Sequence, residues 1–324
     1  MKSLVHSLAA LVLIASLHAQ NNLPQYSVLR AEKGESFLAK VNQLADQGYR
    51  MLTAGKYAVL HLEATPPDTY RYAGFEVHGG PVQVTNWLNE QGAHGYRWVP
   101  NIGLLEKSPH PRNYEYRASP RGLGPSKTGN LSAGFLEEGY HPVAPGTEET
   151  FFEREVGQSR TSSPPVGAIA VSNAMHVHNV MKRTNELARQ GYRFLAPLPS
   201  GTCCRSAVMM QKCSDDCAGR YEYRSFDAKN AAQLEHDLNA LGSDGFRLLP
   251  SMLHRPPHLL ERNTREKHSY SYRAIDPPDD ASLQRALIAA DQENYKPIGF
   301  VWHVGWNAQG FLLLEKEITA PSVP

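Results

Sequence analysis

The feature that most constrains this chain is a short motif that recurs six times. Each copy has apolar residues at helical spacing, then a glycine or asparagine, then an aromatic residue. The copies are Gly48-Tyr49, Gly95-Tyr96, Gly139-Tyr140, Gly191-Tyr192, Gly245-Phe246 and Asn294-Tyr295. Such self-similarity is typical of repeat proteins, whose units must pair or stack because one unit alone buries too little apolar surface. We therefore predict six tandem units.

The small residue of the motif predicts a left-handed cap at the end of a helix. Glycine occupies it in five units and asparagine in the sixth, and these two residues best tolerate a positive φ. Ahead of the cap, apolar residues recur every three or four positions, as at Leu234, Leu238 and Leu241. We expect a helix of roughly two to four turns in each unit, with the aromatic residue after the cap in the core.

Strand-like segments surround each predicted helix. A Tyr-x-Tyr-Arg sequence precedes three of the helices, at 114–117, 221–224 and 270–273, and this alternation is typical of a half-buried strand in an antiparallel sheet. One strand begins at the aromatic residue after the cap, and a second is an apolar run that ends in charge, as at 311–316. The predicted fold class is α+β, with antiparallel-rich sheets and helices packed on one face.

The spacing of the motif also sets the bounds of the units. They cover approximately 26–64, 69–108, 114–155, 168–212, 220–263 and 269–317. Residues 156–167, between the third and fourth units, are rich in Gly, Ser and Pro and are typical of a linker. We therefore predict two lobes of three units each, a first lobe at 20–155 and a second at 168–320.

This arrangement resembles a small bacterial family called domain of unknown function 4177. The resemblance rests on the sequence Leu-Asn-x-Leu-Gly-x-x-Gly-aromatic at 238–246, followed by a closing apolar strand that ends in charge. It extends in tandem over nearly all of the chain after residue 19 and is clearest at 82–107 and 230–262. That family has no assigned activity, so the resemblance implies a fold and no mechanism.

Residues 1–19 have the pattern of a signal peptide. Lys2 supplies a positive start, an apolar run follows at 8–17, and Ala19 is the small residue at the expected cleavage site. That run is too short to cross a bilayer, and no later stretch is long and apolar enough to do so. The net charge of +1, without a long basic run, argues against a nucleic-acid partner. We expect an exported protein, periplasmic or extracellular, without a membrane span.

The recurring residues are those that a fold requires, which favours a non-catalytic function. The first hypothesis is an exported tandem-repeat protein of the periplasm or cell envelope that binds a protein or a small ligand through a sheet face or an inter-unit groove. It predicts no catalytic residue and no cofactor. A thiol redox protein is another hypothesis, although the four cysteines do not form a Cys-x-x-Cys motif.

A competing hypothesis is a hydrolase-like or metal-dependent enzyme with its site between the lobes. His176 and His178 would place two imidazoles on one side of a strand, as a metal site requires. A third ligand would have to come from elsewhere in the chain, from His236, His254 or His258. Surface histidines are the alternative interpretation, because the chain has 14 histidines in all.

A repeated charge pattern predicts the register of each hairpin. The residue after the aromatic is basic in every unit: Arg50, Arg97, His141, Arg193, Arg247 and Lys296. The closing strands carry Glu63, Glu106, Glu153, Glu261 and Glu315, with Gln211 in the fourth unit. Because the start of one strand lies opposite the end of the next in an antiparallel hairpin, we expect each basic residue to neighbour the acidic residue of its own unit.

All four cysteines lie in the fourth unit, and an exported chain meets oxidising conditions that favour disulfides over zinc. Residues 206–212 align with a closing strand of about 23 Å, which should separate Cys203 and Cys204 from the other two. We therefore predict a bridge between Cys213 and Cys217. Cys203 and Cys204 would form either a bond between adjacent residues, whose α-carbons are about 3.8 Å apart, or two free thiols.

Non-reduced peptide mapping tests this assignment. The expected product is a peptide that contains the Cys213–Cys217 bridge, because these residues flank a short turn-forming segment. A peptide that joins Cys204 to Cys213 would contradict the strand predicted between them.

Overall fold

The structure is a computed structural model that describes residues 23–32, 34–63, 69–75, 79–100, 102–120, 125–145, 149–157, 169–174, 177–198, 206–213, 217–226, 230–253, 258–301 and 310–319. Within these ranges the order strand, helix, strand, strand occurs six times. The first three units contain β1 (Tyr26–Arg30), α1 (Glu35–Asp46), β2 (Tyr49–Ala54), β3 (Tyr57–Leu62), β4 (Arg71–Gly74), α2 (Pro81–Ala93), β5 (Tyr96–Val99), β6 (Leu104–Lys107), β7 (Tyr114–Ala118), α3 (Pro125–Glu137), β8 (His141–Pro145) and β9 (Thr150–Glu155).

The last three units repeat this order. They contain β10 (Ile169–Ala174), α4 (Val177–Arg189), β11 (Tyr192–Leu198), β12 (Ser206–Lys212), β13 (Tyr221–Phe226), α5 (Ala231–Ser243), β14 (Arg247–Leu248), β15 (His258–Asn263), β16 (His268–Ile275), α6 (Asp280–Gln292), β17 (Lys296–Val301) and β18 (Phe311–Thr319). In every unit the third strand lies between the first and the second and pairs antiparallel with both. The predicted α+β fold of repeated units is confirmed.

The predicted left-handed caps are confirmed in all six units. The φ angles are 95° at Gly48, 84° at Gly95, 86° at Gly139, 84° at Gly191, 87° at Gly245 and 68° at Asn294. The aromatic residue that follows is buried in three units, at Tyr49, Tyr140 and Phe246. In the other three it is partly buried and packs against a lysine of the closing strand, as Tyr96 does with Lys107.

Each hydrophobic core lies between two consecutive units. At the first junction, Val41 of α1 and Leu60 of β3 pack against Tyr72 and Ile102 of the second unit. The junctions between units two and three, three and four, four and five, and five and six are built in the same way. A helix is therefore enclosed between its own sheet and the sheet of the next unit.

The central strand of each sheet contributes to two of these cores. In β3, Ala58 and Leu60 belong to the core shared with the second unit, whereas Tyr57 and Val59 belong to a core shared with the sixth unit. Successive side chains of a strand point to opposite faces, so a strand covered on both faces must be apolar throughout. This explains the continuous apolar runs in the closing strands.

The sixth unit packs against the first and closes the units into a ring. Leu283 and Leu287 of α6 share a core with Tyr26 and Val59. The Gln284 Nε2 atom donates a hydrogen bond of 2.8 Å to the backbone oxygen of Tyr26. A helix lies beside the first strand of the next sheet at every junction, whereas second strands contact each other directly where the sixth unit meets the first, as β17 does with β2, and where the third unit meets the fourth.

The prediction of two lobes has no counterpart in the apolar packing of the described residues. Tyr140 and Phe152 of the third unit pack against Leu198 and Met209 of the fourth, across the predicted linker, in a core like the others. Residues 1–22, which include the predicted signal peptide, lie outside the described ranges. Within those ranges no helix has both the length and the apolar character needed to cross a membrane.

Local details nevertheless repeat every three units. In the second and fifth units, a helical glycine, Gly92 or Gly242, allows the next strand to approach closely: a Cβ atom on either residue would lie 2.2 Å from the backbone oxygen of Tyr114 or Tyr270. The first and fourth units have Ala45 and Ala188 at the corresponding positions, three residues before the cap. The chain is thus a closed ring made of two similar triplets.

The close approach at Gly242 gives a stability prediction. Gly242→Ala should lower the free energy of unfolding by roughly 1–3 kcal/mol, because the added methyl group overlaps the Tyr270 carbonyl and must displace β16. Gly134→Ala is the matched control, since Gly134 is also helical and a Cβ atom there has no neighbour within 4 Å. The control should raise stability by about 0.5–1 kcal/mol through helix propensity. Urea unfolding of both variants checks this, and equal effects would contradict the packing.

Candidate functional site

The most regular polar side chains lie at the junctions between units. Four junctions share one set of residues, which we call the junction cluster: an Asn and an Arg from one unit, and a Tyr and a Glu from the next. The four clusters are Asn42, Arg50, Tyr72 and Glu106; Asn89, Arg97, Tyr116 and Glu153; Asn185, Arg193, Tyr223 and Glu261; and Asn239, Arg247, Tyr272 and Glu315. They recur between the first and second, second and third, fourth and fifth, and fifth and sixth units.

The tyrosine hydroxyl connects the two units. At the second junction, the Tyr116 hydroxyl donates to Glu153 Oε2 at 2.8 Å and accepts from the backbone N–H of Trp98, in the preceding unit, at 2.8 Å. Burial raises the pKa of Tyr116 well above its ordinary value, so the phenol keeps the proton that it donates. The same pair of bonds is made by Tyr72 and Tyr223 at their junctions.

The arginine supplies the charge that balances the buried glutamate. Arg97 Nε donates to Glu153 Oε1 at 2.7 Å, and the Glu153 side chain is 7% exposed. Burial raises the pKa of Glu153, and the attraction of Arg97 opposes that shift. A buried carboxylate with a charged partner and a phenolic donor is satisfied where it lies, so this glutamate holds the units together.

The asparagine fastens its helix to the exposed edge of the next sheet. Asn89 Oδ1 accepts from the backbone N–H of Tyr116 at 2.7 Å, and its Nδ2 donates to the backbone oxygen of the same residue at 3.2 Å. An edge strand otherwise presents unpaired backbone groups that attract another strand. Sequence reasoning missed this residue, although asparagine recurs six positions before the cap in four units and gave the signal needed to find it.

The predicted pairing of a basic with an acidic residue is confirmed in four of the five units that carry both and is wrong in the first unit, while in the fourth unit the neutral Gln211 takes the same register position. The cross-strand neighbours are Arg97 and Glu106, His141 and Glu153, Arg193 and Gln211, Arg247 and Glu261, and Lys296 and Glu315. Arg50 lies opposite His61 instead of Glu63, because β3 ends at Leu62. The arginines, however, form their ion pairs with the glutamate of the following unit, as Arg97 does with Glu153. The charges therefore join units as well as strands.

The two junctions between triplets use other residues. Where the sixth unit meets the first, His61 replaces the glutamate, and its Nε2 atom lies 2.8 Å from Gln25 Nε2. The Tyr26 hydroxyl donates a hydrogen bond of 3.2 Å to Asp291 Oδ1. Burial lowers the pKa of His61. Where the third unit meets the fourth, the register places Ile169 at the position of the tyrosine and Gln211 at that of the glutamate. The junction cluster thus distinguishes the two predicted blocks of three units.

Open grooves run above three of the junction clusters, between the helix of one unit and the first strand of the next. They lie beside α2 and β7, α4 and β13, and α5 and β16, with volumes of about 650, 910 and 570 Å³. Asn89, Asn185 and Asn239 lie in the groove walls. These grooves are concave surfaces to which a partner can bind.

Three of the histidines considered as metal ligands lie in the described part of the chain, on different elements. His178 is an exposed residue at the start of α4, so its predicted position on a strand is wrong. His236 lies on α5, and His258 is buried, with its Nδ1 atom 2.9 Å from the Met252 oxygen. His176 and His254 lie outside the described residues. Among those that are described, no group of three or more His, Cys, Asp or Glu side chains is arranged to hold a metal ion.

The predicted disulfide is present. Cys213 and Cys217 are joined, with their α-carbons 6.1 Å apart. The bridge lies at the start of the junction between units four and five, where the buried Cys217 packs against α4 residues such as Leu187. Cys203 and Cys204 lie outside the described ranges.

Comparison of the chain with models of protein families, with curated proteins and with solved structures gives no match. The resemblance to domain of unknown function 4177 therefore stays a prediction from the sequence. What the chain does has to be argued from its own geometry.

The junction cluster gives a prediction about its tyrosine. Tyr116→Phe should lower the free energy of unfolding by about 1–3 kcal/mol, because it leaves the Trp98 N–H without its acceptor and Glu153 without one donor. Tyr96→Phe is the control, since the Tyr96 hydroxyl has no hydrogen-bond partner among the described residues. Both substitutions remove only a hydroxyl group and keep the aromatic ring. Chemical denaturation compares the two variants. A control as unstable as Tyr116→Phe would show that the cluster does not hold the junction.

Proposed function

We propose that this chain is an exported, non-catalytic binding protein of the periplasm or cell envelope, whose ring of six units presents grooves to a partner. The observation that supports this proposal most is that the recurring polar residues of the junction clusters bond to one another. The buried carboxylates and phenols are bonded to one another across the junctions, where they fasten neighbouring units together. Their recurrence is explained by assembly of the ring, and a reaction is not needed to explain it.

The grooves have the form expected of a recognition surface. Each groove lies between a helix and the edge of a sheet. The asparagine bonds beneath it fix the distance between these two elements, so the groove is already formed in the absence of a partner. Preformed surfaces bind with less loss of conformational entropy. The Cys213–Cys217 bridge agrees with export, because disulfides persist in oxidising compartments.

Photo-crosslinking in the producing cells tests this function. A photoreactive residue would be placed in each groove, at Ala93, Ser225 and Ala232, and at Ile318, a 46% exposed position outside the grooves, as the control. The expected result is a discrete crosslinked product from at least one groove position in the exported fraction, and none from Ile318. Products from Ile318 alone, or none from any groove, would contradict the proposal.

A further inference from the structure

The groove beside α4 differs from the other two in the residues of its helix. All three helices keep the asparagine of the junction cluster, six positions before the cap. The positions of Lys182 and Arg189 in α4 are held in the other helices by Asn86 and Ala93 in α2, and by His236 and Ser243 in α5. Because the junctions beside α2 and α5 form the same asparagine bonds with those residues, Lys182 and Arg189 are not needed to build the junction.

The basic residues of this groove are exposed and lack ion-pair partners among the described residues. His178, Lys182 and Arg189 lie along one side of α4, and Arg224 lies on β13 opposite. None of the four forms an ion pair with another described residue. Among the described residues of the groove wall, the one carboxylate is that of Glu222, which is already bonded to Arg262.

The arginine on the strand shows the same contrast with the other grooves. Arg117 and Arg273 occupy the place of Arg224 in β7 and β16, and they form ion pairs with Glu138 and Glu293. Arg224 instead packs over the ring of Phe246, at 5.5 Å. The groove beside α4 therefore offers a row of basic residues that form no ion pair with the described part of the chain, which its two counterparts do not have.

The opposite wall of this groove is the edge of a sheet. Both backbone groups of Tyr223 bond to Asn185, at 2.9 and 3.0 Å, so they point away from β15, the strand paired with β13. In an antiparallel ladder this orientation returns at every second residue, so Tyr221 and Ser225 also direct their N–H and C=O groups into the groove. These groups can pair with an added strand on either side of the asparagine.

We propose that the groove between α4 and β13 binds an extended acidic peptide segment of a partner protein. Backbone groups of the segment would pair with Tyr221 and Ser225, and its carboxylates would face Lys182, Arg189 and Arg224. Alternate side chains of a strand lie on one side about 6.8 Å apart, and Lys182 and Arg189 are separated by about 10 Å along the helix. The two spacings differ by about 3 Å, which the flexible side chains of Lys182 and Arg189 can span, so a segment with an acidic residue at every second position can reach both. The inference rests on the proposed function and assigns a partner class to one groove.

Fluorescence polarisation tests the inference with a labelled ten-residue peptide of alternating Glu and Ser and the full oxidised chain at low salt. We expect saturable binding that Lys182→Glu and Arg189→Glu each weaken roughly tenfold, since each change turns an attraction into a repulsion. Arg183→Glu is the matched control: it makes the same change in net charge on the same helix, but Arg183 does not line the groove. That variant should bind as the unaltered chain does.

A second peptide, of alternating Glu and Pro, separates strand addition from simple charge attraction. Proline lacks the N–H group that a ladder requires, so this peptide should bind at least tenfold more weakly. Equal affinity of the two peptides, equal weakening by Arg183→Glu, or tighter binding of a sulfated polysaccharide would overturn the acidic-peptide assignment. If the Glu-Ser peptide does not bind, the acidic-peptide assignment is also wrong. Photo-crosslinks from Ser225 would in that case still support the proposed function, so the two proposals can fail separately.

Discussion

The constraint on which the whole structure depends is that no unit contains a core of its own. Each helix is covered on one side by its own sheet and on the other by the next sheet, and each central strand is apolar on both faces. An open row of such units would expose an apolar helix at one end and an apolar sheet at the other. Closure of the sixth unit on the first removes both ends, so the ring needs no capping unit of different sequence.

The same junctions also solve the problem of sheet edges. A three-stranded sheet has two edges, and six such sheets would present twelve places for unwanted strand pairing. At four junctions the asparagine of one unit bonds to the backbone at the edge of the first strand of the next unit. The tyrosine of this first strand, in turn, accepts a hydrogen bond from a backbone N–H group at the edge of the second strand of the preceding unit. The side chains that attach the units therefore also occupy part of these edges, at one residue of each first strand and one of each second strand.

Local features of this fold could be predicted from the sequence, and contacts between units could not. The caps at Gly48 and Asn294 depend on one residue and its φ angle, and the register of Arg97 and Glu106 depends on a single hairpin. The partner of Arg97 in the ion pair is Glu153, 56 residues away, and no local spacing indicates it. Ring closure is a contact between the first and last units, so it follows only when all six junctions are placed together. His178 was assigned to a strand because two histidines at alternate positions imitate a strand pattern, whereas His178 lies in the first turn of α4.

Equivalent junctions share the residues that build the ring, and the residues in which they differ indicate how their binding properties differ. Asn185 lies among His178, Lys182 and Arg189 on one side of α4, so the residue that fixes the groove and the residues that give it charge occupy the same helix face. The asparagine recurs in α2 and α5, but the positions aligned with Lys182 and Arg189 hold Asn86 and Ala93 in α2 and His236 and Ser243 in α5, which shows that the charge can change while the attachment stays. Junctions built in this way can acquire a binding preference one at a time, because a substitution on the exposed side of a helix leaves the core and the junction cluster beneath it intact.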